Sequence, residues 1–283
     1  MKRYFRLILG CVASVLYASP PLDRANKLYH STDYDGSLRI LLSMEQKDGS
    51  VYMMIGRNYY MLGSFKKATE FLSQAIEAEA GNSEYHLWMG RAYGRRAETS
   101  SMLTAASYAS KARQNFEQAV ALDTKNQEAL NDLFEYYLAA PGILGGGYDK
   151  AAKVAVQIAG LDPVEGHYAQ AKLAEQRKEF SSAEEQLRRA AEMAPLQVGR
   201  VIDLAKFLAR QGRYQESEQS FERAAKIAPN SPKLLYHRAE TYISNKRNLD
   251  AAKLLLRQYL DAKLTPDDPP RSEAEKLLKQ IGG

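Results

Sequence analysis

The chain has 283 residues, of which 45% are hydrophobic and 26% are charged, and its formal net charge is +5. A chain of this length and composition can bury a large core, so the composition excludes an intrinsically disordered protein. The charges are well mixed in sign, which argues against nucleic-acid binding because that function requires a concentrated basic face.

Residues 1–18 have the organisation of a secretory signal peptide. Lys2, Arg3 and Arg6 form a positively charged start, and residues 7–18 are uncharged and mostly apolar. This apolar segment is too short to span a bilayer. We therefore expect export to a bacterial periplasm, with cleavage near Ala18 and no stable membrane anchor. The alternatives are an uncleaved anchor and a chance apolar start.

Cys11 is the only cysteine of the chain, and it lies inside the apolar segment. A lipoprotein signal needs a longer apolar run before its cysteine, so we expect no lipidation there. Cleavage would leave a chain with no disulfide and no thiol nucleophile, which suits a periplasm better than eukaryotic secretion. Cleavage would also remove three basic residues, leaving 36 basic against 34 acidic residues.

Beyond this leader, one pattern recurs along the chain. The segments GSFKKATEFLSQAIEAEAGN (63–82), KEFSSAEEQLRRAAEMAPLQ (178–197) and GRYQESEQSFERAAKIAPNS (212–231) share an aromatic residue followed by small and apolar residues at fixed offsets. Pro195 and Pro229 occupy the same place in consecutive copies and are 34 residues apart. A second amphipathic pattern precedes each segment and marks one face of another helix. The repeating unit is therefore a helical hairpin.

The period and the residues at its fixed positions resemble the tetratricopeptide repeat. In unit two these positions are filled by Ile55, Gly56, Tyr59, Ala68, Leu72 and Ala75. In unit three they are filled by Met89, Gly90, Tyr93, Ala112, Phe116 and Ala119. The resemblance implies an all-α fold, a right-handed superhelical solenoid of about seven helical hairpins closed by a C-terminal capping helix.

The resemblance also implies the domain organisation. We expect a solenoid over residues 19–264, followed by a capping helix and tail over residues 265–283. The units are expected near residues 18–48, 49–82, 83–126, 127–163, 164–197, 198–231 and 232–264. In the tail, Asp268 can cap a helix that has Pro269 at its first position. The expansions and this tail also resemble a group of exported bacterial tetratricopeptide proteins without assigned activity.

Units three and four carry insertions between their two helices. The spacing from tyrosine to alanine is nineteen residues in unit three (Tyr93 to Ala112) and fourteen in unit four (Tyr137 to Ala151), against nine in unit two. Because exposed apolar residues need an explanation, we expect the two insertions to pack together in a side lobe. The residues of this insertion lobe are Met102, Leu103, Ile143 and Leu144.

The unit-four insertion contains three consecutive glycines, Gly145 to Gly147, ahead of Lys150. A phosphate-binding loop needs a preceding strand and a Gly-Lys-Ser/Thr ending. Here a helical segment precedes the glycines and Tyr148 follows them, so we expect an irregular turn rather than a phosphate site.

In this family the first helix of each unit lines a concave groove. The expected partner-binding groove residues are Met53, Arg57, Tyr60, Arg91, Arg95, Tyr168, Lys172, Lys206 and Tyr236, with Leu87, Asn131, Glu135, Ile202 and Glu240 at neighbouring positions. The central position is cationic in four of six units, which favours an anionic or C-terminal peptide anchored by tyrosines. The alternative is a solvated face, since cations and acids occur there in similar numbers.

Catalysis is not indicated. The four histidines lie in different units, and no nucleophile with a nearby base is visible. We expect a non-catalytic scaffold or adaptor without cofactor or metal, which binds a partner protein or peptide through its groove or insertion lobe. The alternative is a periplasmic ligand-binding or accessory factor for assembly of an envelope polymer such as a glycan. The partner's identity and any homo-oligomerisation stay open.

Overall fold

The structure, a computed structural model, describes residues 20–282, so the predicted signal peptide lies outside the described residues. Within residues 20–282 the chain forms fifteen α-helices, one short 3₁₀ helix and no β-strand. The helices are α1 Pro20–His30, α2 Tyr34–Ser43, α3 Gly49–Met61, α4 Phe65–Ala78, α5 Ser83–Glu98, α6 Met102–Leu122, α7 Gln127–Ala139, α8 Tyr148–Leu161, α9 Pro163–Gln176, α10 Phe180–Met193, α11 Val198–Arg210, α12 Tyr214–Ile227, α13 Pro232–Ser244, α14 Leu249–Asp261 and α15 Arg271–Gln280. The 3₁₀ helix is Gly142–Leu144.

Helices α1 to α14 pack as seven consecutive hairpins, and α15 packs against the last of them. Each hairpin also packs against the next one along the chain. The predicted all-α superhelical solenoid with a C-terminal capping helix is therefore confirmed.

Most loops between hairpins end in a residue that caps the following helix. Asp48, Asn126 and Asp162 each accept a hydrogen bond from a backbone N–H of the first helical turn, at 2.8–3.0 Å. These side chains satisfy N–H groups that have no partner within the helix. In these loops the polar residue thus sets where the first helix of the next hairpin begins, whereas Gln197 before α11 forms no such side-chain bond.

Small residues let the two helices of a hairpin approach closely. The alanine position of the second helix is buried in the six units that follow the first, at Ala68, Ala112, Ala151, Ala183, Ser217 and Ala252. On the facing helix of unit three, a Cβ added to Gly90 would lie 2.6 Å from the Phe116 ring. Glycine at this position therefore permits a separation between α5 and α6 that a side chain would prevent.

The core is shared between neighbouring units. One cluster of buried side chains joins Phe116 of unit three, Leu130 and Phe134 of unit four, and Leu173 of unit five. Burying a leucine or phenylalanine stabilises a fold by about 1.5–3 kcal/mol relative to exposure. Because each hairpin obtains part of this burial from its neighbours, no single unit closes its own apolar face.

The insertion lobe is not formed as predicted. Met102 is 91% exposed and Ile143 is 95% exposed, so these two side chains do not pack against each other. The turn that carries Ile143 lies instead beside Arg113 of α6, where a Cβ added to Gly145 would lie 2.7 Å from the arginine Nε. Arg113 is eleven residues beyond Met102, or roughly 16 Å along a helix. The start of α6 therefore extends past the turn.

Leu144 is partly buried, and its carbonyl accepts a hydrogen bond from the Tyr136 hydroxyl at 2.9 Å. The Leu103 side chain lies outside the part of the chain that the structure describes. The unit-four insertion is thus held by its own hairpin.

The triple glycine forms an irregular turn whose polar groups bond to one another. Gly145 has φ of +86°, a left-handed conformation that favours glycine. The Lys150 ammonium donates to the Gly145 carbonyl at 2.8 Å, and the Gly147 N–H donates to the Tyr137 carbonyl at 2.8 Å. The lysine therefore holds the turn closed.

The capping helix begins later than predicted. Helix α15 begins at Arg271, and Asp268 instead accepts hydrogen bonds from the Thr265 N–H and hydroxyl at 2.9 and 3.0 Å. The predicted cap at Asp268 with Pro269 in the first turn is therefore wrong, because this aspartate closes a turn of its own. The apolar face of α15 packs on the last hairpin through buried Ala274, with Leu277, Leu278 and Ile281 partly buried beside it.

Candidate functional site

The candidate site is the concave groove, and most of its predicted cations are paired within the chain. Arg91 contacts Asp132 at 2.5 Å and Glu128 at 2.9 Å. Lys206 contacts Glu240 at 3.0 Å. These carboxylates come from the next first helix along the solenoid, so they neutralise two of the four cations in the row that the sequence suggested.

Arg95 pairs with two acids, one of them distant in sequence. Its guanidinium contacts Glu98 at 2.6 Å on its own helix and Glu273 of α15 at 3.1 Å. The second contact joins residues 178 positions apart. The solenoid therefore curves until its capping helix returns to unit three, and the groove is bounded at this end by the C-terminal segment.

Arg57 is stacked between aromatic rings. Its guanidinium carbon lies 4.8 Å from the Tyr29 ring centre and 4.5 Å from the Trp88 ring centre. Arg91 lies over the same tryptophan at 4.8 Å. A cation over an aromatic face is attracted by the ring's quadrupole, so this row across α1, α3 and α5 fixes the guanidinium orientations. We call Tyr29, Arg57, Trp88 and Arg91 the stacked row.

The predicted tyrosine anchors divide into two kinds. Tyr60 and Tyr168 are partly exposed on the groove side, and burial raises the pKa of both hydroxyls. Tyr236 is only 8% exposed and packs against Tyr259 at 5.3 Å between ring centres. Its prediction as a groove anchor is wrong, because the capping helix completes a core around it.

The side chains at two neighbouring groove positions also lie in the core. Leu87 and Ile202 are 0% and 2% exposed, so the predicted register places them on the groove face incorrectly. Met53 is partly buried and packs against the cluster that contains Trp88. Trp88 itself is the residue that the sequence reasoning missed. It precedes Arg91 by three residues, a spacing that places both on one helix face.

A large cleft opens where the two ends of the solenoid meet. It has a volume of about 800 Å³ and lies between helices α2, α3 and α5 on one side and residues 264–273 on the other. Its walls are mainly apolar, with aromatic rings facing prolines; they include Tyr34, Tyr60, Phe65, Pro266, Pro269 and Pro270. Tyr60 packs edge-on against Trp88, with ring centres 5.5 Å apart. The cleft is therefore continuous with the stacked row.

A smaller cavity of about 200 Å³ lies at the middle of the groove, between α7, α9 and α11. Arg200 contacts Glu165 and Asp203, both at 3.1 Å, and lies over the Tyr168 ring at 4.7 Å. Burial raises the pKa of both carboxyls, and Arg200 lowers it in part. The guanidinium thus offsets the charge of both carboxylates, although its buried Nη1 has no hydrogen-bond acceptor among the described residues.

Glu135 and Lys172 face the same part of the groove. Burial raises the pKa of the Glu135 carboxyl, and the Lys172 ammonium partly opposes that rise. Neither side chain forms an ion pair within 4.0 Å among residues 20–282. They are therefore the charges at mid-groove that are open to a bound segment.

The histidines of units three and five form hydrogen bonds within their hairpins. His86 contacts the Asn115 side chain at 3.2 Å, and His167 contacts the Gln186 side chain at 2.7 Å. Both contacts join the two helices of one hairpin.

In the described range, no helix combines the length and apolar character that crossing a bilayer requires.

Comparisons with known proteins agree with this architecture. Two family models, both described as tetratricopeptide repeat, match the chain, one over residues 49–82 and the other over 168–232 and 202–269. A solved tetratricopeptide repeat protein of Parabacteroides merdae is 13% identical, with a TM-score of 0.62 over 93% of this chain and 98% of that one. A thermophilic tetratricopeptide protein of Thermus thermophilus is 20% identical, with a TM-score of 0.55 over 66% of this chain and 97% of that one. No curated protein sequence matches the chain.

Proposed function

Because the chain is a solenoid of tetratricopeptide repeats, we propose that it is an exported scaffold that binds a segment of a partner protein in its concave groove. Proteins built from these repeats generally serve as non-catalytic binding scaffolds, and solenoids present extended concave surfaces for that purpose.

The observation that carries this proposal is the cleft at the closed end of the groove. A volume of about 800 Å³ is sufficient for several side chains of a bound peptide. Its aromatic and proline walls offer rigid apolar surface, which loses little conformational entropy on binding. Tyr60, Phe65 and Leu62 provide this surface from one side.

Two features of the groove favour a peptide over a purely ionic ligand. Arg91 and Lys206 have carboxylate partners at 3.0 Å or less, so they offer a bound anion little net charge. The apolar cleft remains open beside them. Affinity would therefore come mainly from buried apolar side chains, with orientation supplied by the remaining polar groups.

Export forms the second part of the proposal, and it rests on residues 1–18 alone. The pattern of Lys2, Arg3 and Arg6 followed by an apolar segment supports cleavage near Ala18. The mass of the purified envelope form tests this directly. A chain that begins near Ser19 supports export, and a full-length chain in the cytoplasm refutes it.

Site-specific photo-crosslinking tests the groove. A photoreactive side chain is placed at Leu62, which lines the cleft and is 39% exposed, or at Leu254, which is 59% exposed on α14. We expect a protein adduct from Leu62 that is absent from Leu254 and is lost on Phe65→Ala. Equal adducts from both sites would refute groove binding. Thermal stabilisation by saccharides, without any protein adduct, would instead favour a role with envelope glycans.

A further inference from the structure

Arg57 and Lys172 are the two predicted groove cations without a carboxylate partner among residues 20–282, and of these two only Arg57 has a buried donor without an acceptor. No carboxylate oxygen lies within 4.0 Å of its guanidinium among residues 20–282. Its Nε is buried and has no hydrogen-bond acceptor in the same range. A buried donor of a charged group without an acceptor is costly, so this position is unsatisfied as it stands.

The guanidinium is nonetheless held in place. The Tyr29 and Trp88 rings stack with it, with their centres 4.8 and 4.5 Å from its guanidinium carbon, so a ligand would approach the N–H donors at its edge rather than the stacked surface. Arg57 lies at the central groove position of α3 and is partly exposed. A planar guanidinium whose orientation is fixed by stacking loses little entropy when it binds an anion.

A second donor lies beside it. The Tyr29 hydroxyl is buried, and its O–H has no acceptor in the described chain. Burial raises the pKa of that hydroxyl, and the charge of the neighbouring Arg57 and a hydrogen bond that Arg57 donates to the hydroxyl oxygen lower the pKa in part. Two adjacent groups therefore carry N–H or O–H donors without acceptors, which is the opposite of a site for a cation.

We propose that Arg57, held between Tyr29 and Trp88, binds a carboxylate of the partner segment, next to the apolar cleft. This inference rests on the proposed groove-binding function and names the ligand chemistry at one point of that groove. The partner segment would present a carboxylate close to a bulky apolar side chain, because Tyr60 joins the cleft to Trp88.

A carboxylate fits this position better than a phosphate. The fork of one guanidinium matches the two oxygens of a carboxylate. A doubly charged phosphate requires more positive charge than one free arginine, and the adjacent Arg91 is already neutralised by Asp132 and Glu128. Asp267 of the C-terminal segment also contributes negative charge near Tyr29.

The chain contains a built-in reporter for this site, because Trp88 is its only tryptophan. Three probes are titrated into the full protein while tryptophan fluorescence is recorded. They are acetyl-Leu-Glu-amide, acetyl-Leu-Gln-amide and acetyl-Leu-Gln with a free C-terminal carboxylate. The first offers a side-chain carboxylate, the second offers none, and the third offers a terminal carboxylate.

We expect saturable responses to one or both carboxylate probes, and at least tenfold weaker binding of the neutral probe. The stronger of the two carboxylate probes identifies the source of the anion. Equal binding of all three probes would overturn the proposal. No response to any probe would also overturn it, while the crosslink at Leu62 would still decide whether the groove binds a partner.

Variants localise the response. Arg57→Gln should weaken binding of the carboxylate probe at least tenfold without altering binding of the neutral probe. Arg247→Gln is the matched control, since Arg247 is also stacked on a tyrosine, 4.2 Å from the Tyr214 ring centre, outside the groove. Unchanged carboxylate binding in Arg57→Gln would contradict the assignment. The comparison of the three probes uses the unmodified protein, so its outcome does not depend on whether a variant folds.

Discussion

Arg95 of unit three and Glu273 of the capping helix form an ion pair at 3.1 Å across 178 residues of sequence. Both side chains are about one-third exposed, at 35% and 33%. Exposed pairs of this kind contribute only about 0–1 kcal/mol. Loss of this ion pair therefore costs little free energy, and repulsion in its place should separate the two ends of the solenoid.

Reversing one charge of this pair should open the cleft. We predict that Glu273→Lys lengthens and broadens the distance between spin labels at Lys66→Cys and Lys279→Cys, two exposed positions on opposite sides of the cleft. Repulsion between the new lysine and Arg95 drives the change. Pulsed electron spin resonance measures the distance distribution.

The charge-swapped double variant is the decisive control for this prediction. Arg95→Glu with Glu273→Arg should restore the original distances, and Glu275→Lys, an exposed change on the same helix, should leave them unaltered. If Glu273→Lys gives the same distribution as the unmodified protein, the ion pair does not hold the ends together.

Two glycines on α5 should respond to alanine in opposite directions. Gly90→Ala places a Cβ 2.6 Å from the Phe116 ring, and overpacking of this kind costs about 1–3 kcal/mol. Gly94→Ala meets no atom within 4 Å and should stabilise the helix by about 0.5–1 kcal/mol. Urea unfolding measures both. Equal effects would show that α5 and α6 are not in close contact at Gly90.

Glu240 should make stability depend on acid pH. The hydrogen bond with His237 lowers the pKa of the Glu240 carboxyl to about 2, against the opposing effect of burial and with further lowering by Lys206. The folded pKa lies below the unfolded value of 4.5, so the stabilisation is present above pH 4.5 and is lost as pH falls towards 2.

The size of this effect is on the order of 1 kcal/mol, because the side chain is 34% exposed and solvent screens the interaction. Glu240→Gln should reduce the loss of stability between pH 5 and pH 2 by about that amount, whereas the exposed control Glu275→Gln should not. Thermal unfolding across this pH range measures the difference. Identical pH profiles for Glu240→Gln and the unmodified protein would refute the assignment.

Met102 and Ile143 should be dispensable for folding. Both are more than 90% exposed, so Met102→Ser and Ile143→Ser should each change the free energy of unfolding by less than about 0.5 kcal/mol. Leu130→Ser is the buried comparison and should cost several kcal/mol. If Met102→Ser and Ile143→Ser together lower the free energy of unfolding by more than about 1 kcal/mol, the packed lobe predicted from the sequence would be supported instead.

Much of the fold could be predicted because the repeat encodes it locally. Small residues at Gly90 and Ala112, and an aromatic at Phe116, recur at offsets that only a pair of packed helices explains. Each unit repeats this information, so the hairpins could be predicted without knowledge of distant contacts.

The site could be predicted only in part, because its chemistry depends on contacts between units. The cationic row was visible in the sequence, but the pairing of Arg91 with Asp132 depends on how α5 faces α7. Burial of Tyr236 depends on where α15 packs. The return of Glu273 to Arg95 depends on curvature accumulated over the whole solenoid, which no local pattern records.

Hydrogen–deuterium exchange on the complex with the crosslinked partner tests the central claim most directly. Binding of a partner segment in the groove predicts new protection of amides in the first helices, above all α3 and α5 beside the cleft, with unchanged exchange in the outward-facing α14. Protection confined to the second helices (α4, α6, α8, α10, α12 and α14), with none in α3 and α5, would contradict groove binding.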